Sequence, residues 1–306
     1  MSEASSEHLV QLADGTTICF RDTGRRDAPV VLLVAGLGED LDAWGDPFVS
    51  ALVTHGLRVV TMDNRDVGRS TFSSTAPPAT WRQVLARPRP ESYSLTDMAR
   101  DCVGVLDHLG VAQAHVVGRS MGGMIAQVLA AAQPHRVLSL TSLYSTTGAR
   151  GVGQPARSTI GLLVLTPEAR TRTAFVRAHL RMTQHIAGTA YPIDDAHEAA
   201  IAARAWDRSA GHPIDGVARQ IEAIQRSGDR TAQLRRVTAP TLVIHGDRDL
   251  MVAPSGGVAT VAAIEGAQHV VIPGMGHHLH DDLVDPLARY VAGHAARAGR
   301  GDALLA

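Results

Sequence analysis

The strongest constraint on this chain is a five-residue turn, Gly118-Arg119-Ser120-Met121-Gly122. Apolar Val116 and Val117 precede it, and an Ala/Leu-rich helical run follows it. A strand that turns at once into a helix around G-x-S-x-G holds its serine in a strained conformation, with the hydroxyl clear of the sheet. Glycines belong there because side chains would collide with the neighbouring strand and helix. Five-residue patterns also arise by chance. The weight of this one depends on whether the rest of the chain supplies the partners such a serine needs.

The flanking pattern is that of an α/β protein. Pro29–Val34 is a continuous apolar run, as expected of a strand buried on both faces. Leu57–Met62, Val137–Leu143, Thr241–Ile244 and His269–Ile272 repeat the signal. A hairpin around Asp14-Gly15 precedes them. Helices are expected at Asp42–Val53, from Ser94 or Thr96 to about Leu109, from the elbow to about Gln133, and from Leu283 to about Ala296. Strands alternating with helices imply a mostly parallel sheet with right-handed crossovers. The rhythm stops near Ser145. Residues 146–235 hold no strand pattern, only helical stretches near Glu168–His185, Asp194–Ser209 and Asp215–Arg226. The expected organisation is therefore a core of residues 1–145 and 236–306, with a helical cap of residues 146–235. The tail from Gly299 is expected to fray.

Composition excludes several function classes. A net charge of -1 offers no basic field for nucleic acid or anionic membrane, and 4% aromatics offer no base-stacking platform. Cys19 and Cys102 are the only cysteines, too few for a disulfide framework. No apolar run approaches a membrane span. The polar start, Met1 to Glu7, lacks a signal-peptide pattern, so the cytoplasm is the expected compartment.

A serine hydroxyl is a poor nucleophile until a base takes its proton, and the base must be held by a third group. In a sheet of this kind the order should be serine, acid, histidine. Both later partners occur at strand ends. His245-Gly246-Asp247-Arg248-Asp249 follows one strand, and Pro273-Gly274-Met275-Gly276-His277 follows the next. Catalytic groups collect at the carboxyl ends of parallel strands. The reading is Ser120 as nucleophile, His277 as base and Asp249 as acid. Asp247, His278 and His280 are rivals, and His245 is expected to close its strand. The developing oxyanion needs two backbone N–H donors. Met121, opening a helix, supplies one, and Leu37 in Gly36-Leu37-Gly38 supplies the other.

Together these residues resemble the α/β-hydrolase superfamily over nearly the whole chain. Asp63–Thr71, Ala114–Gly122 and Ile272–His277 look like the aclacinomycin methylesterase group and its esterase relatives, which hydrolyse a methyl ester on an aromatic polyketide glycoside. The resemblance implies an eight-stranded, mostly parallel sheet with the cap inserted after strand 6. Two residues depart from the common pattern. Ala35 stands where many members begin the loop with His, which a backbone role tolerates. Arg119 precedes the nucleophile, and a buried guanidinium needs a carboxylate. Asp63 or Asp66 is the expected partner, because the strand before them should neighbour the elbow strand.

The sequence thus describes a serine hydrolase of a small to medium carboxylic ester, working through an acyl-enzyme without cofactor or metal. A serine at the elbow excludes the alkyl-enzyme chemistry of aspartate-dependent dehalogenases and epoxide hydrolases of this fold. Gly36, Phe175, Met182, Trp206 and His278 are candidate pocket residues, with Leu162–Leu165 and Leu180. The expected partner is the small-molecule ester, and any self-association would be as a homodimer. C–C bond hydrolysis and cofactor-free perhydrolysis use the same triad and remain alternatives. A non-catalytic binder would not need one. His278-Leu279-His280-Asp281-Asp282 lacks the closing His of a zinc-hydrolase motif, and no Lys-Ser/Thr follows Gly256-Gly257 to make a phosphate loop.

Overall fold

A computed structural model describes residues 6–166, 169–210 and 213–300. Its strands are β1 (His8–Gln11), β2 (Thr17–Thr23), β3 (Val30–Val34), β4 (Arg58–Met62), β5 (Ala114–Arg119), β6 (Val137–Leu143), β7 (Thr241–Gly246) and β8 (Gln268–Ile272). They form one sheet in the order β1-β2-β4-β3-β5-β6-β7-β8. β1 and β2 are antiparallel to their neighbours, and every pairing from β4 to β8 is parallel. β3, β4, β5 and β7 are buried at every position, as expected of strands covered on both faces, and β4, β5 and β7 bury Arg58, His115, Arg119 and His245 along with their apolar residues.

Helices α1 (Asp46–Thr54), α2 (Thr80–Val84), α3 (Leu95–His108) and α4 (Met121–Ala132) come before β6. Between β6 and β7 lie α5 (Arg157–Leu165), α6 (Arg172–Ile186), α7 (Asp195–Arg208), α8 (Pro213–Ser227) and α9 (Thr231–Leu234). α10 (Ser255–Ala263) and α11 (Asp281–Gly299) complete the chain. The core has two parts, one on each face of the sheet. One gathers Leu95, Met98 and Leu106 of α3 with Ile125 and Leu129 of α4. The other gathers Phe48 and Leu52 of α1 with Leu287 and Val291 of α11. Among the described residues no helix is long and apolar enough to cross a membrane.

Several expectations change in detail. The helix expected over Asp42–Val53 is a 3-10 turn, Leu41–Trp44, then α1, because Gly45 sits at φ 70° between them. The helix near Glu168 begins at Arg172, and Glu168 lies outside the described residues. α11 runs to Gly299, and of the tail expected to fray, residues 301–306 lie outside the described residues.

The register aligns the carboxyl ends that matter. Arg119 of β5 pairs with Leu143 of β6, Leu143 with Ile244 of β7, and Gly246 of β7 with Ile272 of β8. The residues that follow these strands therefore emerge along one edge of the sheet, beneath the α5–α8 insertion.

Candidate active site

Ser120 is the N-cap of α4 and has φ 53° and ψ -122°, a strained backbone for a residue with a side chain. Its surroundings hold it there. Its N–H donates to the Leu143 carbonyl at 3.0 Å, and Ser145 Oγ donates to the Ser120 carbonyl at 2.8 Å. The flanking glycines leave no alternative. A Cβ on Gly118 would lie 2.6 Å from the Gly123 nitrogen, and one on Gly122 would lie 2.5 Å from the Ala35 carbonyl oxygen. β5, α4 and the end of β3 thus touch backbone to backbone.

The three residues read as a relay meet. His277 Nε2 lies 2.8 Å from Ser120 Oγ, and His277 Nδ1 lies 2.7 Å from Asp249 Oδ2. The other Asp249 oxygen accepts from the N–H groups of Met251 and Val252, each at 2.8 Å. Burial pushes the Asp249 carboxyl up, but His277, His245 and these backbone donors outweigh it and hold the pKa at about 2. The Tyr144 ring packs on the His277 imidazole, centroids 4.7 Å apart. The loop carrying His277 is pinned to the end of α6, with Gly276 N–H donating to Ala187 O and His277 N–H to Ile186 O at 2.6 Å.

The rivals have other tasks. Asp247 accepts the Gly274 N–H and stabilises the turn after β8. His245 Nε2 bonds the Val252 carbonyl at 2.9 Å. His280 caps α11 by accepting the Asp282 N–H. His278 contacts Glu198 of α7 at 3.4 Å, and Glu198 also meets His179 of α6 at 3.1 Å. Burial pulls the His278 pKa down to about 4.

Three successive amides cross the end of β3, and two are occupied. Gly36 N–H donates to Glu39 Oε2 at 2.6 Å, and Gly38 N–H to Gln220 Oε1 of α8 at 2.8 Å. Among the described residues no acceptor meets the Leu37 N–H between them, nor the Met121 N–H in the first turn of α4. These are the two amides expected to face an oxyanion.

The expected partner of Arg119 is wrong. Arg119 Nε donates to Glu39 Oε2 at 2.7 Å, and its NH2 nitrogen binds Glu39 Oε1. β3 lies between β4 and β5, so the loop after β3, not the loop after β4, reaches the elbow. Asp63 and Asp66 instead meet cations from the insertion. Arg208 of α7 binds Asp63 and Asp40, each at 2.7 Å, and also Glu7. Arg219 of α8 binds Asp66 at 2.7 Å.

A cavity of about 1470 Å³ lies between the insertion and Ser120. Leu37, Met121, Phe175, Met182, His278 and Glu198 are among its lining residues. Six expected pocket residues, Gly36, Leu162, Val164, Leu165, Leu180 and Trp206, are not among its lining. Trp206 packs behind Phe175, ring centroids 5.5 Å apart. Gly36 is occupied by Glu39 and lies close against Ser120, where an added Cβ would be 3.3 Å from the serine Cβ. Leu163 lines the cavity, but Val164 and Leu165 face outward, 65% and 81% exposed. Glu39, Tyr144, Gln220 and Glu198 were not legible as site residues, because nothing local in the sequence couples them to Ser120.

The chain that carries this arrangement is matched by a family model. That model, of the alpha/beta hydrolase fold, fits residues 29–282. The chain belongs to the α/β-hydrolase family. Rhodomycin D methylesterase of Streptomyces peucetius is 28% identical over 292 residues, covering 89% of this chain and 92% of that protein. The likeness to the methylesterase group drawn from the sequence stretches therefore holds, at low identity. A 2-hydroxy-6-oxononadienedioate/2-hydroxy-6-oxononatrienedioate hydrolase of Pseudomonas putida is 25% identical over 298 residues, 95% of this chain and 96% of that one. Among solved structures, the enol-lactonase of Burkholderia xenovorans LB400 has a TM-score of 0.72 and 26% identity, covering 94% of this chain and all of that one (100%).

Proposed function

We propose that this chain is a serine carboxylic-ester hydrolase acting on an ester with a sizeable apolar scaffold. The observation that carries the reading is the continuous relay Ser120 Oγ–His277 Nε2–Asp249 at the floor of the large cavity. His277 takes the Ser120 proton as the hydroxyl attacks the ester carbonyl, and then delivers it to the leaving alcohol. Asp249 keeps Nδ1–H oriented and stabilises the imidazolium that forms. The Leu37 and Met121 N–H groups receive the tetrahedral oxyanion, helped by the positive end of the α4 dipole. Water, activated by the same histidine, then releases the acid from Ser120.

The relatives support this chemistry, since one is a methylesterase and another an enol-lactonase. The Pseudomonas putida hydrolase favours a second reading, in which the same relay cleaves a C–C bond beside a carbonyl. A fluorophosphonate probe should label the wild type and not Ser120→Ala. Turnover of a p-nitrophenyl ester series, set against a panel of β-diketone-like compounds, separates the two readings. Equal labelling of both proteins would sink the serine mechanism.

A further inference from the structure

The Glu39–Arg119 pair is only half-buried, with the Arg119 side chain 9% exposed and the Glu39 side chain, at the cavity wall, 33% exposed, and stability alone explains it poorly. Such pairs often gain little over apolar residues of similar volume. This one joins the two halves of the oxyanion site. On one side, Arg119 is the residue before Ser120 and two before Met121. On the other, Glu39 Oε2 accepts both Arg119 Nε–H at 2.7 Å and Gly36 N–H at 2.6 Å. Gly36 immediately precedes Leu37. The geometry points to Glu39 and Arg119 as a strut that positions the Leu37 and Met121 N–H donors relative to each other. The inference rests on the acyl-transfer reading of Ser120.

Three features support a positioning role. The guanidinium is fixed on more than one side. Its centre lies 5.4 Å above the ring of Trp44, which is itself buried and stacked on Phe48. An arginine fills the site better than a lysine could, because the two-pronged contact and the ring face both favour a planar fork. The pair is also balanced in charge. A lone carboxylate beside Gly36 would oppose the negative charge growing on the substrate oxygen, and Arg119 cancels it. The same guanidinium lies beside Tyr144, whose ring supports His277. Finally, Gln220 holds Gly38 on the far side of Leu37. With both neighbouring amides bound, the Leu37 N–H has a set direction.

The test uses the full chain and four variants: Glu39→Leu, Arg119→Met, the double variant and Arg119→Lys. Ser120→Ala gives the background. Each is assayed for kcat and KM on one p-nitrophenyl ester, and for Ki of a trifluoromethyl ketone, which adds to serine as an oxyanion-bearing hemiketal. A loss confined to the oxyanion donors lowers kcat by about a hundredfold in either single variant. KM should stay within about threefold, and the ketone Ki should rise in step with the fall in kcat/KM, as a transition-state mimic must. The double variant should be no worse than the poorer single, and Arg119→Lys should recover part of the loss. The double variant removes both charges together, so it guards against a misfolded Arg119→Met. Wild-type labelling and turnover that depend on Ser120, alongside folded variants with unchanged kcat or an unchanged ketone Ki, would overturn the strut while leaving the hydrolase reading intact. Absence of any Ser120-dependent labelling would overturn both.

Discussion

Gly122→Ala is the sharpest probe of how the elbow is built. The added Cβ would lie 2.5 Å from the Ala35 carbonyl oxygen, with the Val34 carbonyl oxygen also inside contact range. Ordinary contact begins near 3.4 Å, so the end of β3 and the first turn of α4 must separate by roughly 1–1.5 Å. Overpacking of this kind costs about 1–3 kcal/mol. In a chain of this size that lowers Tm by roughly 2–10 °C. The functional cost should be larger. β3 leads into Leu37 and α4 begins with Met121, so the separation moves both proposed oxyanion donors. A misplacement of about 1 Å typically costs around a hundredfold in rate. Gly161→Ala in α5 is the control, since an added Cβ there meets nothing within 4 Å. It should leave activity unchanged and stability equal or slightly raised. Thermal unfolding and ester kinetics on the two variants decide the matter. Gly122→Ala with wild-type Tm and kcat/KM would refute the claim that backbone contact between β3 and α4 sets the site.

Asp249→Asn should lower kcat about ten-thousandfold, because His277 loses the acceptor that fixes its tautomer. Asp249 is held at about 2 from an ordinary 3.8, so its stabilising contribution is present above the ordinary value and is lost as pH falls through about 2. A pH series of Tm should show that acid loss in the wild type and a flatter profile in Asp249→Asn. Arg208→Met strands buried Asp40 and Asp63, and should cost about 3–5 kcal/mol in thermal unfolding. Burial and neighbouring Asp40 push Asp63 up to about 6 even with Arg208 in place. A raised carboxyl favours the fold when protonated, so the Arg208→Met deficit should be larger at pH 8 than at pH 5. A deficit independent of pH would contradict this account.

The parallel strands were readable because each is an apolar run too short for a helix and bounded by turns. The order of Ser120, Asp249 and His277 was readable because each follows such a run. α10 was not, and the reason is tertiary. Its Gly256 and Gly257 lower helix propensity, yet a Cβ on either would press on the Ser145 carbonyl or the His245 ring. The glycines let the helix lie close to the strand ends, and packing overrides their local preference. The Arg119 partner failed for a different reason. Adjacency between strands depends on sheet order, and the insertion of β3 between β4 and β5 leaves no mark in the local sequence. Likewise, Arg208 and Asp40 stand far apart in the chain, and no periodicity relates them.

Those contacts between α7, α8 and the loops beneath have a consequence for recombining this chain with its relatives. The insertion does not rest on apolar contacts alone, although Ala223 of α8 and Leu234 of α9 join the core. Its cations are the counter-ions of Asp40, Asp63 and Asp66, and α8 also occupies the Gly38 amide through Gln220. Exchanging residues between β6 and β7 for those of another hydrolase would leave unmatched carboxylates and a loosened loop in the recipient. A chimera of this kind therefore has to carry the acids at 40, 63 and 66 and their arginines as one inherited set.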